Sequence, residues 1–160
     1  MDFVVIIRVR QRFGSSDDED SMEQGAPFVG KSKDYEFACP HVYASSEATL
    51  LFQAHHVIHP RNILSINGVD IAGGVPVSGF FVATVGEPQQ ISIHGIWSAQ
   101  NLIVPPNTLR DQGNILHVEA RTDDGATNGD MPNFIVDNVV LFFRTRPSRP
   151  QLGAEVVERV

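Results

Sequence analysis

Ala48-Thr49-Leu50-Leu51-Phe52-Gln53-Ala54-His55-His56-Val57 is the stretch on which the fold class turns. Leu50, Phe52 and Ala54 share one parity, while Leu51, Gln53 and His55 share the other. An extended chain sends successive side chains to opposite faces, so this run reads as a strand with the first set directed at a core. Pro60 lacks a ladder donor and ends it.

The same grammar recurs on both sides. Asn62 to Val69 sets Ile63, Ser65 and Asn67 against Leu64, Ile66 and Gly68, and Asn67-Gly68 is a turn signal because both residues tolerate positive φ. Phe80 to Val85 and Gln90 to Ile96 read as strands on either side of a turn at Gly86-Glu87-Pro88. In Ile115 to Ala120 the apolar face is Leu116, Val118 and Ala120, which leaves His117 and Glu119 outward. Phe134 to Arg144 closes the pattern, with Phe134, Val136 and Asn138 opposed to Ile135, Asp137 and Val139. Phe3 to Phe13 is read as a single first strand, and Phe28 to Tyr43 as a long connection with one edge strand. Asn107 to Arg110 is expected to form one helical or 3₁₀ turn. No 11-residue window sustains helical periodicity, and strand-length runs alternate with turn residues. The expected class is therefore all-β, an antiparallel β-sandwich with few or no helices.

Composition agrees. Ten Phe residues favour pleated, half-buried surfaces, and 13 Gly with 10 Pro supply turns. At 160 residues the chain is expected to form one sandwich domain over 1–146, with an acidic loop at 14–25 and a tail or edge strand at 147–160. A formal charge of −7 and the lack of a basic stripe argue against nucleic acid as a partner. Cys39 is the single cysteine, so no intramolecular disulfide can form, and a small buried residue is its expected role. The apolar start is too short for a signal core and no apolar run approaches 18 residues. The expected location is the cytoplasm, or outside the cell without a cleaved signal.

Three short motifs occur in a familiar order: Ile66-Asn67-Gly68, then Val104-Pro105 with Gly113-Asn114-Ile115-Leu116-His117-Val118-Glu119-Ala120, then Asn133-Phe134-Ile135-Val136-Asp137-Asn138-Val139-Val140-Leu141. Over about residues 48–146 the chain resembles the galactose-binding-domain-like superfamily of jelly-roll β-sandwiches. That resemblance implies jelly-roll topology and raises glycan binding as a function. The superfamily also contains domains that bind no sugar. An Asp137-Asn138 pair within an apolar strand is costly unless hydrogen-bonded, so a structural role is expected for it.

Candidate sites follow from chemistry. Trp97, Gln100 and Asn101 offer a flat apolar ring and amides, the groups that stack on a sugar ring and read its hydroxyls, although a lone Trp also suits a core. Asp123, Asp124 and Asp130 crowd a Gly- and Asn-rich loop that suits a structural Ca²⁺, with self-capping turns as the alternative. Asp17-Asp18-Glu19-Asp20 lacks the spacing of a calcium loop and reads as solvated. His55, His56 and His59 do not carry a zinc spacing and are expected at the surface or at loop ends. No nucleophile elbow, phosphate loop or dinucleotide fingerprint is present. The expected function is a non-catalytic binding module, carbohydrate-binding or lectin-like. The alternative is a structural protein that joins copies of itself or a larger particle through edge strands and termini.

Overall fold

The computed structural model describes residues 1–15, 25–77, 80–85 and 90–147, with 80–85 and 90–95 described by backbone alone. The expected acidic loop at Asp17 to Asp20, the turn at Gly86 to Pro88 and the tail beyond 147 lie outside the described residues. The described residues form strands and no helix: β1 (Asp2–Ile7), β2 (Gln11–Phe13), β3 (Phe28–Gly30), β4 (Ser32–Phe37), β5 (Ala48–His55), β6 (Ile63–Ile66), β7 (Val69–Asp70), β8 (Phe80–Val85), β9 (Gln90–Gly95), β10 (Ser98–Val104), β11 (Asn114–Glu119) and β12 (Phe134–Phe143).

One sheet runs β10-β5-β12-β2-β3 with β1 also on β12, a second runs β4-β11-β6-β7, and β8 pairs with β9. Their inner faces meet in one core. From the larger sheet come Leu50, Phe52, Ala54, Val139 and Leu141, and from the smaller Leu64, Ile66, Leu116 and Val118, all buried. The alternation expected in β5 and β11 is realised, with Leu50, Ala54, Leu116 and Val118 wholly excluded from solvent. The protein is an all-β sandwich. Pairing is antiparallel throughout the described strands except between β2 and β3, which run parallel, so the larger sheet is mixed rather than purely antiparallel.

Four expectations are corrected. Phe3 to Phe13 is two strands, not one: β1 pairs with the second half of β12 and β2 with its first half. The break at 8–10 faces the irregularity between Asp137 and Val140 on β12, where Asn138 takes a φ of 51°. That bulge inserts one residue and reverses parity, so Val139 is buried and Asn138 is exposed, the opposite of the simple alternation. The expected connection from Phe28 to Tyr43 holds two strands, and all six residues of β4 pair with β11. Residues 107–110 form no helical turn; Asn107 instead reverses the chain at a φ of 64°, its N–H donating to the Ala44 carbonyl at 2.6 Å.

The Asn67-Gly68 turn is present, with φ of 54° and 77° joining β6 to β7. No helix among the described residues is long and apolar enough to cross a membrane.

Candidate functional site

The larger sheet is apolar on its outer face as well as its inner one. Register puts Ile103, Thr49, Phe142 and Phe3 in one row across β10, β5, β12 and β1. The next row is Asn101, Leu51, Val140 and Val5. These side chains have the parity opposite to the buried ones, and Leu51, Ile103 and Phe3 are 36%, 51% and 59% exposed. Phe3 and Phe142 lie with ring centroids 5.9 Å apart. A sheet face that is solvated normally carries polar side chains, so a contiguous apolar one makes this face the candidate interaction surface.

A groove of about 710 Å³ lies over this face. Its floor includes Leu51, Ile103, Phe142 and Thr49, and its rim includes Tyr43, Glu47, Asn101 and Arg144. The wall is the connection between β4 and β5, which is tied down from two sides. Val42 is buried and bridges Thr145, and the Tyr43 N–H donates to the Arg144 carbonyl at 2.7 Å. Asp111 accepts from the Val42 N–H at 3.0 Å and from Arg146 Nη2 at 2.9 Å, while Arg146 Nε donates to the Val42 carbonyl at 3.0 Å. The groove is thus held by backbone pairing and one shared carboxylate rather than left to a loose loop.

Further along the same face the side chains turn polar. Ala99 pairs with Gln53, and Gln53 with Asp137. Asn138 Nδ2 donates to Gln53 Oε1 at 3.5 Å, so the bulge brings a second exposed amide beside the first. Asp137 accepts from the Asn138 N–H at 2.8 Å and has Arg10 Nε 3.7 Å from its other oxygen, so its carboxylate is satisfied, while the Asn138 amide stays exposed. Beyond this row lie His55 and Trp97, with ring centroids 5.0 Å apart, and the Arg10 guanidinium sits over the indole at 5.2 Å. Trp97 is half-buried and packs against Ala26 and Ile135.

The three residues proposed for sugar contact therefore separate. Asn101 stands on the groove rim, and Trp97 lies at the far end of the same face. Gln100 has the other parity, pairs with Phe52 and donates its amide to Ser98 Oγ at 2.8 Å. Sequence reasoning missed Tyr43, Gln53 and the groove floor. The available signal was Leu51 at an outward position of β5 and Ile103 between Leu102 and Val104, apolar side chains that a sheet solvated on one side does not need.

The loop of Asp123, Asp124 and Asp130, between β11 and β12, has a different character. Asp124 is bonded to the Thr122 hydroxyl and accepts from the Ala126 N–H, and these bonds hold its carboxyl below the ordinary range. Asp130 accepts from Ser15 Oγ at 2.7 Å, and Asp123 is exposed. Among the described residues no three His, Cys, Asp or Glu side chains gather into a set able to hold a metal ion. His59, expected at the surface or at a loop end, lies in the connection between β5 and β6 and is buried there, and burial pushes its imidazole below the ordinary value, as it does for His56 beside His55. Cys39 is fully buried and its thiol is pushed up to about 12, chiefly by burial.

No family model matches the chain. No curated protein matches it. Among solved structures, the catalytic domain of a GH87 α-1,3-glucanase in complex with nigerose is similar at a TM-score of 0.35 and 14% identity, over 75% of this chain and 22% of that one. The chain spans about a fifth of that structure's length.

Proposed function

We propose that the protein is a non-catalytic carbohydrate-binding module that receives its ligand in the groove on the outer face of the larger sheet. One observation carries the reading: the groove joins an apolar floor, Leu51, Ile103 and Phe142, to a rim of one phenol, one amide, one carboxylate and one guanidinium. Sugars present the matching surface, C–H faces bordered by hydroxyls that both donate and accept. The jelly-roll likeness of the three sequence motifs adds to it. Glycoside cleavage uses a pair of carboxylates, and Glu47 is the single acid among the residues lining the groove, which supports binding without catalysis.

The test is affinity electrophoresis of the intact chain through gels containing xylan, mixed-linkage β-glucan, galactomannan, pullulan or dextran. Retardation by at least one polymer, lost in Leu51→Arg, is expected. Migration unchanged in all five overturns the proposal.

A second reading has its own observation: the apolar rows run past the groove onto β1, where Phe3 is 59% exposed. A second copy of the chain, or a subunit of a larger particle, seated over this face would cover it. Light scattering decides between the two, since a monomer at all concentrations excludes the self-assembled form.

A further inference from the structure

Resting on the groove as a glycan site, we infer that the bound ligand is a neutral, extended glycan chain several units long, lying along β10, rather than a single terminal sugar. The groove does not end the surface that carries the right chemistry. Along β10 and its neighbours the outer face runs from Ile103 through Asn101 and Ala99 to Trp97, six residue steps or about 20 Å of strand. Small Ala99 sits between the groove and Trp97, flanked by Gln53. Nothing bulky on β10 interrupts the strip there.

The polar groups along the strip are amides. Asn101, Gln53 and Asn138 are all exposed and share this face. Each amide offers one acceptor and two donors, which is the complement of vicinal hydroxyls. Asn138 reaches the strip because the bulge in β12 holds it at a φ of 51°, where a regular strand would have turned position 138 into the core.

Charge decides the ligand's class. Arg10 lies 3.7 Å from Asp137, Arg12 beside Ile135 is buried, and the groove is lined by Met1 and Arg144 together with one carboxylate, Glu47. On β10 and β5 the outward side chains from the groove toward Trp97 are Ile103, Asn101 and Ala99 with Thr49, Leu51 and Gln53, all uncharged, so along this strip a ligand meets apolar and hydrogen-bonding groups rather than ions, the complement of a neutral chain.

The experiment uses the intact chain and graded oligomers, two to six units, of the same five polysaccharides, followed by calorimetry and by the emission of Trp97, the single tryptophan. Affinity should rise roughly tenfold or more from dimer to hexamer, as the added amide contacts are made. Trp97 emission should shift with the hexamer and not with the dimer. Asn138→Gly, which suits the same φ and so keeps the bulge, and Gln53→Ala should each remove most of the gain while leaving dimer affinity unchanged. Affinity that is flat with length, or variants that weaken dimer and hexamer equally, overturns the extended site and leaves the groove reading standing. Failure of every oligomer and every polymer to bind overturns both. Tighter binding of polygalacturonate than of the neutral chains overturns the assignment of charge class.

Discussion

The side chains of Asn67 and Asn114 are hydrogen-bonded to each other, Asn67 Nδ2 donating to Asn114 Oδ1 at 2.9 Å. The first belongs to the turn between β6 and β7, the second opens β11, and both also bond the backbone on either side of Asn114. Asn67 donates to the Thr108 carbonyl at 2.7 Å and accepts from the Ile115 N–H at 2.9 Å. Asn114 accepts from the Arg110 N–H at 2.8 Å and donates to the Arg110 carbonyl at 2.7 Å. Two of the three motifs behind the family resemblance are thus one structural lock, which explains their spacing without any ligand.

Asn114→Leu should lower stability by about 1–3 kcal/mol for each buried partner it strands. Asn114 has no solvent exposure, so water cannot replace the lost contacts. Asn67→Gly should also destabilise, although glycine is ideal at its φ of 54°, because the turn survives and the side-chain bonds do not. Urea unfolding midpoints check both, and an unchanged midpoint in Asn67→Gly would show that Asn67 acts through the turn alone.

What could be read in the sequence divides along physical lines. β5 and β11 were legible because they lie in sheet interiors with one face fully buried, so apolar parity is strict. β4 was legible only as an edge strand without bounds, since its Lys33, Asp34 and Glu36 stay in water and blur the alternation. The start of β10 was hidden for the same reason, as Ser98 to Asn101 carry no large apolar group. The break between β1 and β2 depends on a bulge in a strand more than 120 residues away, and local pattern cannot encode it. Of the site, Asn101 and Trp97 were found by chemistry, whereas Tyr43, Gln53 and Asn138 join them only through strand register.

Neighbouring leucines on β5 should respond in opposite ways. Leu50 has no exposure and faces the core, so Leu50→Ala should cost about 2–5 kcal/mol by opening a cavity. Leu51, 36% exposed on the outer face, should accept Arg with a small change in stability and a loss of glycan retention. Thermal melts paired with affinity gels check this. Retention that survives Leu51→Arg would remove the groove floor from the site.

Calcium should be without effect on folding. The Asp124 carboxylate is already committed to Thr122 and Ala126, and Asp130 to Ser15. Melting temperature should be the same in millimolar Ca²⁺ and in EDTA. A rise with Ca²⁺ that disappears in Asp123→Asn with Asp124→Asn would place an ion on this loop after all.

Acid sensitivity should appear in the histidine range. His59 is buried, its Nδ1 accepting from the Arg61 N–H at 3.3 Å, and burial outweighs the nearby Asp123 to lower its pKa. His56 is lowered too, first by burial and then by His55. A group whose folded pKa is depressed binds fewer protons folded than unfolded, so stability rises with pH across its titration. The contribution is complete above the ordinary histidine value of about 6.5 and is lost as pH falls through the folded values below it. Melting temperature should therefore decline from about pH 7 to pH 5. Asp124, held low by its bonds to Thr122 and Ala126, contributes its own loss only in the carboxylate range beneath that window. His59→Gln removes one titrating group while retaining polarity and bulk, and it should flatten the decline between pH 7 and 5. A His59→Gln curve parallel to that of the parent would assign the acid response to other groups.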